Sequence, residues 1–233
     1  MAAQDEAPDR VPFDLGRFAR TAVYFGAFAP PSPAKVLQTV AESAGIVEGR
    51  RTLVAPGNVI VGPAAVTGPL QWGSLDDVVM GGASSSAVVP IASQLEWSGT
   101  VTTANNGGFA GVRTRLISPP LDLSGATGLR LKLKGGDGMR FKFLLRDDED
   151  WNGVGWCASF DTSKAGTDVK IPFASLVPTQ YARTLPLEGR RSFDAASVTT
   201  LQLTLSKFEY DGGLNPAFKT GPFSLRIESI AAY

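Results

Sequence analysis

The stretch LRLKLKGGDGMRFKFLLRD, residues 129–147, alternates apolar and polar side chains on both sides of a glycine-rich tetrad. Alternation with a period of two is typical of β-strands that bury one face. The tetrad GGDG (135–138) contains the residues that tight turns favour, so we predict a hairpin there. Later segments with strand-like patterns are VGWCASFD (154–161), VKIPF (169–173), VTTLQLTLS (198–206) and FSLRIESI (223–230). The chain is therefore predicted to be all-β, with an antiparallel jelly-roll β-sandwich over residues 72–233.

The composition is that of a globular chain with balanced charge. Its 233 residues are 43% hydrophobic, with 22 Lys and Arg residues against 22 Asp and Glu residues. Proteins that bind nucleic acids usually carry a basic excess, so the balance disfavours nucleic acid as the main partner. The acidic opening MAAQDEAPDR lacks the apolar core of a signal peptide, and no run of about 18 apolar residues predicts a membrane-spanning helix.

The chain contains no histidine and a single cysteine, Cys157. The missing histidine removes the commonest general base and the usual protein ligand of transition metals. The single cysteine cannot form an internal disulfide, which favours an intracellular or organellar setting. We therefore predict no enzymatic activity and no bound metal, although acid–base chemistry by carboxylates stays open.

The N-terminal region has helical periodicity. Residues 13–28, FDLGRFARTAVYFGAF, carry apolar side chains at helical spacing, and Asp14 can cap the start of this helix. The predicted apolar stripe consists of Leu15, Phe18, Ala22 and Phe25. A second helix is predicted from Pro33 to Gly45, so that residues 1–45 would form a helical hairpin. Either this hairpin packs against the main domain, or Phe18 and Phe25 dock to a membrane surface or a partner protein.

Residues 46–71 form a predicted connector between the hairpin and the sandwich. Its Gly57, Gly62 and Gly68 do not have the G-x-G-x-x-G spacing of a dinucleotide loop, and no Lys-Ser or Lys-Thr pair follows them. Too few residues remain for a βαβ unit before the strand-rich region begins. We therefore predict that no nucleotide cofactor, and no other cofactor, is bound.

Three separated blocks carry a resemblance to a known family. In chain order they are WGSLDDVVMGGAS (72–84), NNGGFAGVR (105–113) and GPFSLRIESI (221–230). Together they resemble the signature blocks of the complex I intermediate-associated protein family. The resemblance implies a galactose-binding-like jelly roll without established catalysis. It also implies an assembly role, since the mitochondrial members are chaperone-like assembly factors for NADH:ubiquinone oxidoreductase.

Two further blocks resemble one branch of that family. FDLGRFARTAVYF (13–25) and LSKFEYDGGLNP (205–216) look like the cyanobacterial and plastid members. Those members often join the domain to a Rossmann unit of the short-chain dehydrogenase type. That unit is missing here, and LVAPGNVIVGP (53–63) would be its vestige. Plastid relatives include factors for photosystem II biogenesis, some of which act through messenger RNA.

The resemblance thus implies a non-catalytic protein of a chloroplast or mitochondrion that binds immature subunits of a membrane electron-transport complex. Two alternatives stay open. The fold, with Trp151 and Trp156, is compatible with a carbohydrate-binding module. The plastid-type blocks are compatible with an RNA-linked factor in photosystem II biogenesis, although zero net charge argues against unaided RNA binding.

The stretch DDVVMGG, residues 76–82, places two carboxylates before an apolar triplet and a glycine pair. Paired carboxylates can perform acid–base chemistry across a substrate, but neighbours on a strand point to opposite faces. We therefore favour an architectural role, in which Asp76 and Asp77 begin a strand and the glycines permit a bulge.

The second block, NNGGFAGVR, contains two asparagines before a glycine pair. Asn105 and Asn106 suit left-handed turn positions, and a polar recognition loop at the sandwich rim is the alternative. Arg113 and Arg115 lie two residues apart and would share one face of a strand. There they can be solvated, or they can pair with acidic groups of a partner.

The acidic segment RDDEDWNGVGW, residues 146–156, is the most ligand-like stretch of the chain. Asp147, Asp148 and Asp150 match a calcium loop only loosely, because the glycine and glutamate that an EF-hand requires are missing. Asp148 is therefore kept as a candidate ligand-binding residue, and no calcium site is predicted.

Aromatic and polar side chains near two predicted strand ends complete the candidates. Trp151 and Trp156 can stack on a sugar ring or pack in the core. Cys157 follows within a strand and is expected to be a buried small hydrophobic residue. Tyr210 and Asp211 lie where LSKFEYDGGLNP turns, and they can contact a protein partner or belong to a solvated hairpin.

Overall fold

The computed structural model describes residues 11–25, 51–150, 152–186, 188 and 192–233. Within these residues the chain forms one α-helix, α1 (Leu15–Tyr24), and fifteen β-strands joined by turns and short 3-10 segments. The strands are β1 (Thr52–Leu53), β2 (Val59–Val61), β3 (Trp72–Ser74), β4 (Ser85–Ile91), β5 (Gln94–Val101), β6 (Phe109–Thr114), β7 (Leu121–Asp122), β8 (Gly128–Gly135), β9 (Arg140–Arg146), β10 (Gly155–Asp161), β11 (Thr167–Pro172), β12 (Val177–Gln180), β13 (Arg183–Thr184), β14 (Thr200–Ser206) and β15 (Gly221–Ala232).

Two antiparallel sheets pack face to face around one core. The first contains seven strands in the order β13-β12-β10-β9-β14-β6-β3. The second has the order β11-β8-β15-β5-β4, and β2 also pairs with β15. Strands that are far apart in the chain, such as β5, β8 and β15, are therefore neighbours in space. The prediction of an all-β jelly-roll sandwich is confirmed.

Strand β2 lies in the region that the sequence predicts to be a connector. It pairs with the last strand of the sandwich, with Val61 opposite Ile230, and Ile60 is buried in the core. The sandwich thus contains residues that precede Trp72. The sandwich therefore includes a strand, β2, that lies before the predicted start of the galactose-binding-like domain.

The core forms because the strands alternate as the sequence predicts. In β8 the side chains of Leu129, Leu131 and Leu133 are buried, while the polar residues between them face solvent. Both sheets contribute aromatic rings to the centre of the sandwich. The ring of Trp97 meets those of Phe141 and Phe223 edge to face, at centroid distances of 5.9 and 4.8 Å. The contact of Trp97 with Phe141 joins the two sheets and helps to fix their spacing, whereas the contact with Phe223 lies within the second sheet.

The predicted hairpin at GGDG (135–138) is wrong. Strand β8 pairs with β11 and β15, whereas β9 pairs with β10 and β14, so the tetrad carries the chain from one sheet to the other. All four residues have positive φ angles, which glycine adopts easily. At Gly136 a Cβ atom would lie 2.5 Å from Thr162 Oγ1, so this position also requires glycine because there is no room for a side chain.

The helix α1 begins as predicted, since the Asp14 side chain accepts a hydrogen bond from Arg17 N at 2.8 Å. The predicted stripe is only partly correct. Ala22 is buried and Phe18 and Phe25 are half-buried, but Leu15 is 66% exposed. The predicted second helix (33–45) lies outside the described residues. Among the described residues, no helix combines the length and hydrophobicity that crossing a membrane requires.

We predict that Leu131→Ala lowers the free energy of unfolding by about 2–5 kcal/mol, since it removes a fully buried side chain and leaves a cavity. The neighbouring substitution Lys132→Ala, on the exposed face of the same strand, should change it by no more than about 0.5 kcal/mol. Urea titration followed by tryptophan fluorescence measures both values. Equal effects of the two substitutions would contradict the assigned orientation of β8.

Candidate functional site

The stretch DDVVMGG does not form the predicted start of a strand. Asp76 is extended, Asp77–Met80 form a 3-10 turn, and Gly81 ends the turn with a φ of 90°. The turn buries Asp77 and Val78 and leaves Met80 79% exposed. The two adjacent carboxylates consequently enter the protein in different directions and bind different sets of donors.

The Asp77 carboxylate is surrounded by hydrogen-bond donors. Ser84 donates through its N–H at 2.9 Å and its hydroxyl at 2.7 Å. The backbone N–H groups of Gly108 and Phe109 donate to Oδ2 at 2.7 and 3.2 Å. Because a buried carboxylate is costly unless it is hydrogen-bonded, these four donors make its burial possible.

Two glycines provide the space for the Asp77 carboxylate. A Cβ atom at Gly82 would lie 2.3 Å from Asp77 Cγ, and one at Gly107 would lie 2.4 Å from Asp77 Oδ2. Neither glycine has a positive φ angle, so close approach explains them better than turn geometry. One glycine from each of the two sequence blocks thus lies against the same carboxylate.

The Asp76 carboxylate is 1% exposed and connects three elements. Ser86 at the start of β4 donates its N–H at 2.8 Å and its hydroxyl at 2.6 Å, and Gly111 N in β6 donates at 3.3 Å. Arg17 of α1 forms an ion pair with it at 3.0 Å. Burial raises the pKa of Asp76, while the bonds from Ser86 and Gly111 and the charge of Arg17 act in the opposite direction. We call Asp76, Asp77 and their donors the carboxylate hub.

Several further contacts hold α1 against the sandwich beside the carboxylate hub. Arg17 Nη1 donates to Ser84 O at 3.1 Å, and the Tyr24 hydroxyl donates to Trp72 O at 2.8 Å. The Tyr24 ring lies where a side chain on Gly73 would stand, since a Cβ atom there would be 2.3 Å from Tyr24 Cε1. The helix is therefore an integral part of this side of the domain.

The predicted pair Arg113 and Arg115 stacks on aromatic rings at the end of α1. The Arg113 guanidinium lies 4.8 Å from the ring centroid of Phe25, and that of Arg115 lies 5.3 Å from the ring centroid of Tyr24. Arg113 is only 4% exposed. Burial, assisted by the nearby charge of Arg146, lowers the pKa of Arg113 to about 9. Buried in this way, Arg113 is poorly placed to reach an acidic partner.

The structure favours a turn for Asn105 and Asn106, which have φ angles of 56° and 58°. The Asn105 side chain accepts from Val11 N at 2.9 Å, and its amide donates to Val11 O at 2.6 Å and to Gly81 O at 3.0 Å. Asn105 thereby links the segment before α1 to the turn that ends at Gly81.

The chain matches the family model described as Complex I intermediate-associated protein 30 (CIA30) over residues 64–227, more than half of its length. The chain belongs to this family. The matched region includes both sequence blocks that build the carboxylate hub. No curated protein matches the sequence.

Solved structures that resemble this CIA30 family member include carbohydrate-binding modules and agarases. A family 11 module of a cellulosomal cellulase of Clostridium thermocellum has a TM-score of 0.50 at 18% identity, covering 77% of this chain and 95% of the module. The family 11 module of this organism in complex with a mixed-linked tetrasaccharide has a TM-score of 0.46 at 20% identity, covering 69% and 89%. A family 30 module of a cellulosomal cellulase of the same organism has a TM-score of 0.43 at 17% identity, covering 70% and 92%. At such identities the likeness shows the fold alone.

The other predicted site residues of this CIA30 family member do not form one cluster. Asp148 accepts from Asp150 N at 3.1 Å, and its carboxylate occupies the space where a Gly153 side chain would stand. In the part of the chain that is described, no three acidic or cysteine side chains gather as a metal site would require. Trp151 lies outside the described residues. Trp156 is 4% exposed and packs on Phe193 at 5.7 Å, so it belongs to the core.

Tyr210 and Asp211 lie in a loop that folds over the seven-stranded sheet. The Tyr210 hydroxyl lies 3.2 Å from Ser159 Oγ and donates to Cys157 Sγ at 3.4 Å. Cys157 is 1% exposed, as predicted. Asp211 has a φ of 55° and accepts from Thr184 N at 2.8 Å. The sequence did not indicate that this loop would meet the turn between β12 and β13, because the two are distant in the chain.

We predict that Gly107→Ala lowers the free energy of unfolding by about 1–3 kcal/mol, because its Cβ would press against the Asp77 carboxylate and displace a buried charge. Gly125→Ala is the matched control, since the nearest atom to its Cβ is Pro56 Cδ at 3.9 Å. It should be neutral or stabilising by up to about 1 kcal/mol. Chemical denaturation measures both free energies. An unchanged stability of Gly107→Ala would show that the space around the Asp77 carboxylate can accommodate a methyl group.

A second prediction concerns pH. Burial raises the pKa of Asp76 above the ordinary value of 3.8, so the folded protein binds this proton more tightly than the unfolded chain. Asp76 therefore makes the folded state less stable as pH rises above about 3.8 towards the folded pKa. The free energy of unfolding of the wild type minus that of Asp76→Asn, measured by urea unfolding across this range, should fall with rising pH. A rise of this quantity with pH would mean that Arg17 and the donors outweigh burial.

Proposed function

We propose that this protein is a non-catalytic assembly factor that binds immature subunits of a membrane electron-transport complex. The complex would be of the complex I type or a photosynthetic counterpart, in a mitochondrion or a chloroplast. The observation that carries the proposal is membership of the complex I intermediate-associated protein family over residues 64–227. The protein would be soluble or peripheral to the membrane.

An exposed apolar surface beside the carboxylate hub supports a role in binding such subunits. It consists of Val11, Phe13, Leu15, Val23 and Met80, which are 46%, 51%, 66%, 74% and 79% exposed. Leu15 and Val23 are eight residues apart, slightly more than two turns of α1, so their side chains differ by roughly 80° around the helix axis. We call these five residues the apolar helix surface.

The carboxylate hub presents this surface on a fixed base. Arg17 of α1 forms an ion pair with Asp76, and the Asn105 amide donates to the carbonyl of Val11. Phe13 lies close to Gly81, since a Cβ atom there would be 4.0 Å from its ring. Phe18 and Phe25, expected to contact a partner, are half-buried. In this proposal they hold the helix in place, and the more exposed residues make the contact. A rigid apolar surface loses little conformational entropy on binding.

The partner proposed here has matching chemistry. Immature subunits of a membrane complex expose apolar segments until they are inserted or assembled, and an apolar surface can shield them. The chain has no net charge that would attract a highly charged partner over a distance. Recognition would then depend on shape and on a few apolar contacts.

We also propose that the protein has no catalytic activity. The Asp76 and Asp77 carboxylates are buried, and their hydrogen bonds go to backbone, serine and arginine donors of the fold itself. Cys157 is also buried, which raises the pKa of its thiol to about 11 and keeps it protonated at neutral pH. In this proposal these groups stabilise the fold and do not take part in a reaction.

The double variant Leu15→Glu/Val23→Lys tests this proposal. It leaves net charge unchanged and places each charge at the helix end that favours it. In proximity labelling in the source organelle, the wild-type protein should label subunits of an electron-transport complex. The variant should reduce this labelling about tenfold, equivalent to about 1.4 kcal/mol of binding.

The matched control is Val89→Glu/Ile91→Lys, which makes the same charge changes on exposed apolar residues of β4. It should label the subunits as the wild type does, and circular dichroism should show that both variants are folded. If the wild type labels no electron-transport subunit, the assembly role is wrong. Equal losses of labelling in both double variants would mean that the apolar helix surface is not the site that binds the subunits.

A further inference from the structure

A cleft lies on the opposite edge of the seven-stranded sheet from β3, where the turn between β12 and β13 meets the loop after β14. Its volume is about 450 Å³, within the range of roughly 300–1,000 Å³ that is usual for small-molecule sites. The lining residues are Tyr181, Ala182, Arg183, Phe208, Asp211 and Gly212. None of them belongs to the carboxylate hub or to the apolar helix surface.

Tyr181 occupies a position that the fold alone does not explain. It lies at a two-residue turn with Ala182, and both have left-handed φ angles of 50° and 59°. Such turns favour glycine or asparagine, because a side chain is unfavourable at positive φ. The Tyr181 side chain is 75% exposed, so burial does not offset this disadvantage. An exposed ring on a strained turn therefore points to a contact outside the fold.

Both walls of the cleft are fixed by hydrogen bonds. Asp211 N donates to Ala182 O at 3.0 Å, and the Asp211 carboxylate accepts from Thr184 N at 2.8 Å. On the other wall, Lys142 Nζ donates to the carbonyl oxygens of Phe208 and Glu209 at 2.7 and 2.9 Å. The cleft is thus formed before any ligand arrives, which lowers the entropy lost on binding.

The polar groups of the cleft indicate an uncharged ligand. Arg183 and Asp211, the charged residues among those that line the cleft, have opposite charges and are both exposed, so the lining itself has no excess charge that would favour a phosphate or an amine. The guanidinium offers donors, and the exposed Asp211 carboxylate, which accepts from Thr184 N, offers further acceptor lone pairs. A ligand with neighbouring hydroxyl groups can satisfy both.

The aromatic groups complete the match. Tyr181 and Phe208 are 75% and 39% exposed and line the cleft on its two walls. A sugar ring has an apolar face of C–H bonds, which packs on an aromatic ring, and an edge of hydroxyl groups, which hydrogen-bond to charged side chains. An added peptide strand fits less well, since the edge strand β13 has only two residues.

We propose that this cleft binds one unit of a neutral saccharide, with its ring on Tyr181 and its hydroxyl groups on Arg183 and Asp211. The site differs from the alternative in which Trp151 and Trp156 stack on a sugar ring, since Trp156 is buried. The proposal is independent of the assembly role, because it uses other residues on another edge of the sandwich.

The decisive variant is Tyr181→Gly, which removes the ring and suits the left-handed turn. Ala182→Gly is the matched control, because it relieves the same turn and keeps the ring. A panel of neutral oligosaccharides built from glucose, galactose, mannose and xylose is titrated onto the full chain and followed by NMR chemical shifts and calorimetry. We expect at least one oligosaccharide to bind, Tyr181→Gly to weaken binding at least about tenfold, and Ala182→Gly to retain it.

Both glycine variants should be as stable as the wild type or more so, which separates loss of binding from loss of folding. Organellar labelling by Tyr181→Gly should equal that of the wild type. Failure of the whole panel to bind, binding that Tyr181→Gly leaves unchanged, or preferential binding of sulfated sugars or of peptides would overturn the saccharide assignment. None of those results would alter the test of the assembly role.

Discussion

Two neighbouring carboxylates are buried in this domain, and the arrangement of the surrounding chain follows from their need for donors. Asp77 takes donors from Ser84, Gly108 and Phe109, and Asp76 takes them from Ser86 and Gly111. The two serines lie at or next to the start of β4 in the second sheet, and the other donors lie at or next to the start of β6 in the first sheet. A buried charge loses its hydration, so every missing donor leaves a cost of about 1–3 kcal/mol or more. The hub therefore specifies where β4 and β6 begin relative to each other.

The same requirement explains why α1 belongs to the domain. Arg17 brings a positive charge to Asp76 from a helix that is distant in sequence, and it also donates to the carbonyl of Ser84. The aromatic residues at the end of α1 then lie on Arg113 and Arg115. Charge pairing and ring stacking thus orient the helix with one side attached. Leu15 and Val23 are left exposed.

The sandwich could be predicted from the sequence because the signal is local. The alternation in β8 determines which side chains enter the core, and the burial of Leu129, Leu131 and Leu133 follows it. The partner of each strand is not a local property, so GGDG between β8 and β9 was interpreted as a hairpin when it is a crossing between sheets. An architectural role for Asp76 and Asp77 could be predicted, but not their donors, which lie up to 59 residues away. The orientation of α1 was uncertain for a different reason, since this helix is apolar on two sides. The turn at Tyr181 could not be predicted, because glycine or asparagine is the usual residue at its left-handed positions.

The ion pair between Arg17 and Asp76 also sets an order of events during synthesis. The ribosome produces α1 before any of the strands, but the Asp76 carboxylate finds its full set of donors only when Gly111 has been made. An isolated helix of 10 residues is marginal in water, so α1 gains its shape late, from the domain that it joins. The helix is thus completed by residues almost a hundred positions downstream.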